Sequence, residues 1–133
     1  MTQILLPQGW PRPKGYSNGV LVRGQQVFVA GMIGWLPDGT FPHADLVGQV
    51  RMALANIVAV LHEAGAKPEH ITRMTWYVVD KADYIANAKA IGEVYRELIG
   101  SYNAVMTAVQ VVALIEDAAK IEIEVTAVIP DGV

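Results

Sequence analysis

Two glutamates near the end of the chain stand where a carboxylate could take part in chemistry. The segment Lys120–Val128 alternates between polar and apolar side chains, which predicts a strand with Glu122 and Glu124 on its polar face. The segment Val105–Ala113 is nearly apolar on both faces, and such a strand must be covered on both sides. The neighbouring strand, Lys120–Val128, then brings Glu122 and Glu124 onto a covered face of the sheet. Buried carboxylates need partners or a chemical role.

Other kinds of catalytic or metal site have little support in the residue types. The chain has no cysteine, which excludes a catalytic thiolate, a disulfide framework and cysteine-based metal sites. Its histidines, His43, His62 and His70, are scattered and form no metal-binding pair. The sequence also lacks a glycine-rich phosphate loop and a nucleophile-elbow motif. We therefore expect neither a metal nor a cofactor.

The composition favours an oligomer over a nucleic-acid-binding or membrane protein. With 133 residues the chain is long enough for one domain with its own core. Hydrophobic residues make up 53% and charged residues 17%, which indicates buried surface beyond the core of one chain. A net charge of −3 disfavours nucleic-acid binding, and no stretch is apolar for long enough to span a membrane. We expect a cytoplasmic protein.

The whole chain, residues 1–133, is predicted to be a single α+β domain. Residues 1–19 are rich in proline and glycine and are predicted to form an irregular arm. The pair Gly24-Gln25 between the apolar segments Val20–Arg23 and Gln26–Ile33 predicts a β-hairpin.

Two amphipathic helices and a further strand follow. Apolar residues at helical spacing predict a helix over Asp45–Ala64, with Asp45 as its N-cap and Gly65 just beyond its end. A strand is predicted over Ile71–Val79 and a second helix over Ala82–Ile99. The element order is then ββαβαββ, a mixed β-sheet with two helices on one face. Because these helices cover one face only, another chain must cover the other.

Several segments of this sequence share the order and spacing of a known family. They are Gly15-Tyr16-Ser17-Asn18-Gly19, Val29-Ala30-Gly31-Met32-Ile33, Glu63-Ala64-Gly65, Val78-Val79-Asp80, Glu93-Val94-Tyr95 and Lys120-Ile121-Glu122-Ile123-Glu124. Together they resemble the Rid family (reactive intermediate deaminase, also called the YjgF or L-PSP endoribonuclease family). The resemblance implies a chorismate-mutase-like subunit, a homotrimer, and a small-molecule ligand bound in a cleft between each pair of subunits.

The resemblance also implies catalytic residues. In the family, the residue that corresponds to Glu122 orients the water that attacks the substrate, and Tyr16 closes over the ligand. The backbone at Gly31 and Ile33 contacts the ligand. The alternative for Glu122 is a structural carboxylate satisfied by backbone N–H groups, and for Tyr16 a residue of a surface turn. Glu124, one pleat further on, is assigned to structure.

The sequence departs from the family pattern at the expected ligand site. Met106 stands where deaminating members carry an arginine that grips the substrate carboxylate, and Gly92 stands where an asparagine is usual. The segment Ala30-Gly31-Met32 replaces the usual Ser-Gly-Gln, and Ala108 completes the expected site. A bidentate arginine–carboxylate contact contributes about 1.5–3 kcal/mol, which Met106 cannot supply.

The missing cation could come from Arg12, Lys14 or Arg73, while Met32 and Met106 could form an apolar wall. Two functions stay open. The first is hydrolysis of an enamine or imine whose substrate is not held by the usual arginine. The second is non-catalytic binding of a small ligand at the subunit interface. The endoribonuclease activity in the family's name ranks third, because the chain is acidic.

Overall fold

The computed structural model describes residues 2–100 and 103–132. The strands are β1 (Thr2–Leu5), β2 (Gly19–Val22), β3 (Gly24–Met32), β4 (Ile71–Val78), β5 (Val105–Gln110) and β6 (Ile121–Pro130). The helices are α1 (Leu46–Glu63), α2 (Lys81–Ala86) and α3 (Ala88–Leu98), with a 3-10 turn at Pro68–His70. The predicted α+β class is confirmed. Within the described ranges, none of the helices has the length and apolar character needed to cross a bilayer.

Four of the strands form one mixed sheet in the order β3-β6-β4-β5. Strand β6 is antiparallel to both of its neighbours, while β5 runs parallel to β4 at the edge. Helix α1 packs on β3 and β6 and also against α3, so the core lies between the sheet and the helices. The predicted alternation of β6 is confirmed: Ile121, Ile123 and Val125 are buried in this core, and Glu122 and Glu124 lie on the opposite face.

Helix α1 begins and ends where the sequence predicts. The Asp45 carboxylate accepts a hydrogen bond of 2.9 Å from the N–H of Gly48, and this bond lowers the pKa of Asp45. Gly65 follows the last turn with a φ of 72°, the left-handed conformation that commonly ends a helix. The buried side of the helix consists of Leu46, Gln49, Val50, Ala53, Leu54, Ile57 and Leu61.

The first strands differ from the predicted arm and hairpin. Residues Thr2–Leu5, predicted to be irregular, form β1 and pair antiparallel with β2; Met1 lies outside the described residues. The predicted hairpin between Val20–Arg23 and Gln26–Ile33 is wrong. Only Arg23 separates β2 from β3, and one residue is too short for a hairpin loop. Strand β3 pairs with β6 instead.

The second predicted helix, over residues 82–99, is divided into α2 and α3 at Asn87. The Asn87 amide donates to the backbone carbonyl of Asp83 and to its carboxylate, both at 2.8 Å. A side chain that bonds to the backbone of the preceding turn competes with the helix's own hydrogen bonds, which explains the break. Beyond it, α3 buries Ile91 and Val94 in the core.

The sheet face that points away from the helices is open in the single chain. Phe28 on this face is 72% exposed and Val109 is 42% exposed. Strand β5 is shorter than the predicted Val105–Ala113, ends at Gln110, and lies at the edge of the sheet. In the loop that follows, Val112 is fully exposed. Apolar side chains exposed together on one face of a sheet and in the loop beside it are typical of an interaction surface.

One buried polar side chain ties α1 to the segment that leads into β6. Gln49 is 1% exposed, and its amide donates to the carbonyls of Ala118 at 2.9 Å and His43 at 3.2 Å. Its amide oxygen accepts a 2.7 Å hydrogen bond from the N–H of Lys120. Helix α1 therefore fixes the start of the strand that carries Glu122.

We expect Gln49→Ala to lower the free energy of unfolding by about 2–4 kcal/mol, because it leaves a small void and unpaired backbone groups at Ala118 and Lys120. Urea unfolding at fixed protein concentration measures this. Gln25→Ala is the matched control: Gln25 is exposed, and its loss should stay within about 0.5 kcal/mol of the native value. Equal effects of the two variants would contradict the role given to Gln49.

Candidate functional site

A cavity of about 740 Å³ lies on the helix side of the sheet, a size that suits a small-molecule ligand. We call it the aromatic cavity. It is lined by Lys14, Gly15, Tyr16, Trp76, Tyr84, Ala88, Ile91, Gly92, Tyr95, Arg96, Met106 and Ala108. The structure therefore brings four of the predicted site residues together: Tyr16, Gly92, Met106 and Ala108.

Strand register explains how the sheet contributes to the aromatic cavity. The alternation of β4 buries Met74 and Trp76 on the helix side. Strand β5 pairs with β4 in parallel register, so that Met106 lies beside Met74 and Ala108 beside Trp76. The floor of the cavity is therefore apolar at the position where an arginine was expected.

The remaining walls come from a turn and a helix. The turn that carries Tyr16 is anchored by Ser17, whose backbone N–H donates to the carbonyl of Ala104 at 3.0 Å, at the entrance to β5. On α3, Gly92 and Arg96 are four residues apart and so share a helix face. Gly92 lines the cavity without adding a side chain to it.

Three rings form one wall of the aromatic cavity. The centroid of Trp76 lies 6.3 Å from that of Tyr84, nearly edge-on, and 6.4 Å from that of Tyr95. Burial raises the pKa of Tyr84, so its phenol stays neutral at physiological pH. The indole N–H of Trp76 is buried and has no hydrogen-bond partner within residues 2–100 and 103–132. Trp76 and Tyr95 are only 1% and 3% exposed, so Tyr84 supplies most of the accessible ring surface of this wall.

The charged residues around the aromatic cavity are all cations. Among its described lining residues only Lys14 and Arg96 carry charge. Glu97, which follows Arg96 on α3, pairs with Arg51 of α1, and this ion pair lowers the pKa of Glu97. The cavity therefore has a positive rim, which favours an anionic ligand.

The other predicted site residues lie elsewhere, at the end of β3, just after it, and on β6. We call this group the Glu122 edge; it consists of Ala30, Gly31, Met32, Ile33 and Glu122. Glu122 is half-buried and faces Gly31 so closely that a Cβ on Gly31 would meet the Glu122 Oε2 at 2.3 Å. The backbone carbonyl of Ile33 accepts a 3.1 Å hydrogen bond from Asn56. A recess of about 550 Å³ opens beside Ala30.

A tyrosine on the neighbouring strand lies beside the two glutamates of the open face. Tyr77 lies beside Glu122 in the β4–β6 register, and its hydroxyl donates to Glu124 at 3.3 Å. Partial desolvation raises the pKa of Tyr77, and the charges of Glu124 and Glu122 raise it further. The phenol is therefore a neutral donor at physiological pH. The hydrogen bond gives Glu124 a partner, in line with the structural role predicted for it.

Within one chain, the aromatic cavity and the Glu122 edge do not form one site. Strand order places β3 and β5 at opposite edges of the sheet, about 14 Å apart at the usual strand spacing. Met106 faces the helices, whereas Glu122 faces the open side. Met32 and Met106 do not meet within one chain, because Met32 pairs with Ile123 at the far edge, and the predicted wall stays a prediction for a site between subunits.

The cations proposed to replace the missing arginine fall in different places. Lys14 lines the aromatic cavity. Arg73 borders a recess of about 400 Å³ that also touches Tyr16 and Met106. Arg12 lies instead beside the N-terminal strand. Sequence reasoning missed Arg96, although its spacing of four from Gly92 on a predicted helix was a usable signal.

Comparisons with known proteins agree with this geometry. The family described as Endoribonuclease L-PSP matches residues 11–129. The chain belongs to this family, the Rid family. It is 35% identical to TdcF of Escherichia coli strain K12, a candidate reactive intermediate deaminase, over 96% of this chain and 98% of that one. It is 30% identical to the 2-iminobutanoate/2-iminopropanoate deaminase of the same strain, with the same coverage.

Solved structures of Rid proteins have the same fold. YyfB of Yersinia pestis, a conserved Rid-family protein of unknown function, superposes with a TM-score of 0.74 at 31% identity over 96% of this chain and 98% of that one. Escherichia coli TdcF with bound serine superposes with a TM-score of 0.67 at 32% identity and the same coverage. The family resemblance inferred from the sequence is confirmed.

We expect Gly31→Ala to displace the Glu122 carboxylate at a cost in stability below about 1 kcal/mol, because the clash falls on the end of a flexible side chain. The matched control is Gly34→Ala, whose Cβ would meet the Gln49 backbone at 2.8 Å. That variant should lose about 1–3 kcal/mol, and its clash falls on Gln49 and not on the Glu122 carboxylate. NMR of the Glu122 carboxyl carbon, with urea unfolding, separates the two. An unchanged carboxyl resonance in Gly31→Ala would contradict the close approach.

Proposed function

We propose that this Rid-family protein is a deaminase that hydrolyses an enamine or imine, at a site shared between subunits of a homotrimer. The observation that carries the proposal is the half-buried Glu122, packed against a glycine that leaves room for its carboxylate. The relationship to an Escherichia coli 2-iminobutanoate/2-iminopropanoate deaminase supports the reaction class.

The separation of the two groups of residues supports a shared site. A second copy seated against β5 would cover an exposed apolar strand and could bring its own Glu122 edge to the aromatic cavity. It would also bury apolar side chains of the open face such as Phe28 and Val109. Cyclic trimers are built from one such contact repeated head to tail.

The chemistry needs one base and one water. The Glu122 carboxylate takes a proton from the water while the water oxygen bonds to the imine carbon. The electron pair of the C=N bond moves to nitrogen, which is then protonated. The carbinolamine then expels ammonia as the hydroxyl loses its proton, which leaves a carbonyl compound. An enamine substrate first gains a proton at carbon and loses one from nitrogen, which gives the imine. Overall, imine and water become ketone and ammonia.

A second function, non-catalytic binding of a small ligand, is favoured by one observation. Met106, Ala108 and Gly92 line the aromatic cavity with apolar surface and no polar side chain. Such a wall suits retention of an apolar ligand. The assays below separate the two functions.

Sedimentation equilibrium at micromolar concentration should give about three times the subunit mass of 14.4 kDa. The physical reason is the apolar surface exposed on β5 and the open face of the single chain. A charge on that surface, as in Val109→Asp, should shift the protein toward monomer. A native protein that stays at 14.4 kDa would contradict both the trimer and the shared site.

We expect slow hydrolysis of 2-aminoacrylate and 2-iminobutyrate, because the carboxylate is the only strong handle on such small substrates and Met106 offers it no donor. A dehydratase acting on serine or threonine generates these imines, and their disappearance is timed. Met106→Arg should raise the rate at least about tenfold, whereas Met106→Leu, the matched control, should not.

Glu122→Gln should abolish the hydrolysis that the native protein and Met106→Arg carry out, since the amide cannot take the proton from water. Activity that survives Glu122→Gln would contradict its role as base. If neither the native protein nor Met106→Arg hydrolyses any imine while the cavity still binds ligand, the binding function replaces the deaminase.

A further inference from the structure

We propose that the loop between β5 and β6, residues 111–120, docks at the mouth of the aromatic cavity in a second copy of the chain. We call it the apolar loop. Its aliphatic side chains Val112 and Ile115 lie against the apolar floor of that cavity, and its acidic residues Glu116 and Asp117 face the positive rim. The inference rests on the shared site proposed above and names the element of the second subunit that helps to complete it.

The exposure of the apolar loop is the first argument. Val112 is fully exposed and Ile115 is 95% exposed, more than any other large hydrophobic side chain within residues 2–100 and 103–132. An aliphatic side chain in water forgoes the free energy that its burial would release. Two such side chains on one short loop therefore indicate a surface that another molecule covers.

The backbone of the apolar loop is held in place at both ends. At its start, the N–H of Val111 donates to the carbonyl of Val78 at 2.8 Å. Near its end, the N–H of Ala119 donates to the carbonyl of Glu116 at 3.0 Å, which closes a turn, and the amide of Gln49 holds the residues on either side of Ala119. The exposed aliphatic side chains thus belong to a fixed loop, which costs less entropy to dock than a mobile one.

Chain order brings the apolar loop to the shared site. The loop ends where β6 begins, and Glu122 is the second residue of that strand. A copy that brings its Glu122 to the aromatic cavity of the next copy therefore brings this loop with it. None of residues 111–120 is among the described lining residues of the cavity in its own chain. A second copy is thus the occupant that the protein itself supplies.

The two surfaces are complementary in polarity and charge. The charged residues among the described lining of the aromatic cavity are Lys14 and Arg96, both cations, and its floor is apolar. Next to its aliphatic side chains the apolar loop carries Glu116 and Asp117, and neither carboxylate has an ion pair in the described part of the chain. Opposite charges across an interface guide association and set the register of docking.

The volume of the aromatic cavity fits this arrangement. Its 740 Å³ belongs to a single chain, and a small imine occupies little of that space. Aliphatic side chains from a second copy reduce the space and exclude water from it. The ligand space of the assembled protein is then what the apolar loop leaves open, so Val112 and Ile115 limit the size of the ligand.

Cysteine cross-linking tests the contact directly, because the chain has no cysteine of its own. Ala88 is exposed and lines the aromatic cavity. The full chain with both Ile115→Cys and Ala88→Cys, treated with a short bismaleimide linker, should give covalent dimers and trimers on a denaturing gel. The matched control uses Ala59, an exposed alanine of α1 outside the described cavity lining.

Ile115→Cys with Ala59→Cys should give few covalent oligomers or none. Equal yields from the two pairs of variants, or no covalent oligomer from Ile115→Cys with Ala88→Cys, would overturn the docking of the apolar loop.

A charge on the apolar loop tests its part in assembly. Ile115→Asp should raise the dissociation constant of the assembly at least about tenfold, because docking then buries a carboxylate in place of an aliphatic side chain. Ile85→Asp is the matched control, since Ile85 is 62% exposed on α2 and lies outside the described cavity lining. It should change the constant by less than about twofold. Sedimentation equilibrium measures both, and equal effects would overturn the role of Ile115.

Imine hydrolysis, measured on the same preparations before cross-linking, keeps this inference apart from the proposed function. Cross-linking of Ile115→Cys with Ala88→Cys in a protein that hydrolyses no imine upholds the docking of the apolar loop and removes the deaminase. Hydrolysis by a trimer in which this pair does not cross-link upholds the deaminase and overturns the docking.

Discussion

The structure depends on strand β6 being apolar on one face only. Ile121, Ile123 and Ala127 are wholly buried between the sheet and the helices. Because side chains alternate along a strand, this burial forces Glu122 onto the open face. A slip of one residue would bury carboxylates in the core and expose the aliphatic stripe, at a large free-energy cost. The hydrogen bonds between Gln49 and the backbone of Ala118 and Lys120, just before β6, fix the same register.

Local sequence patterns predict the helices and strands whose formation depends on residues within the same segment. The alternation of β6 and the capped helix α1 are predicted within a residue or two, since both follow from periodicity and capping alone. The pairing of β2 and the break at Asn87 are not predicted, because each depends on a partner or hydrogen bond chosen by the folded chain. The predicted site residues do lie beside recesses large enough for a ligand. Their division between two edges of the sheet could not be predicted, because it follows from the strand order.

The aromatic cavity differs from the expected family site by the position of its charge. With Met106 on the strand and Arg96 on the helix, apolar surface occupies the place where a short substrate's carboxylate was expected to lie.

Subunit complementation tests the shared site most directly. Gly92→Phe fills the aromatic cavity and Glu122→Gln removes the base, so each variant alone should be inactive on any imine that the native protein hydrolyses. If each site takes its cavity from one subunit and its Glu122 from the next, unfolding and refolding an equal mixture should restore about a quarter of the native activity, since one site in four then has both intact halves. Activity in the mixture no higher than in the separate variants, with mixed trimers confirmed by native mass spectrometry, would contradict the shared site.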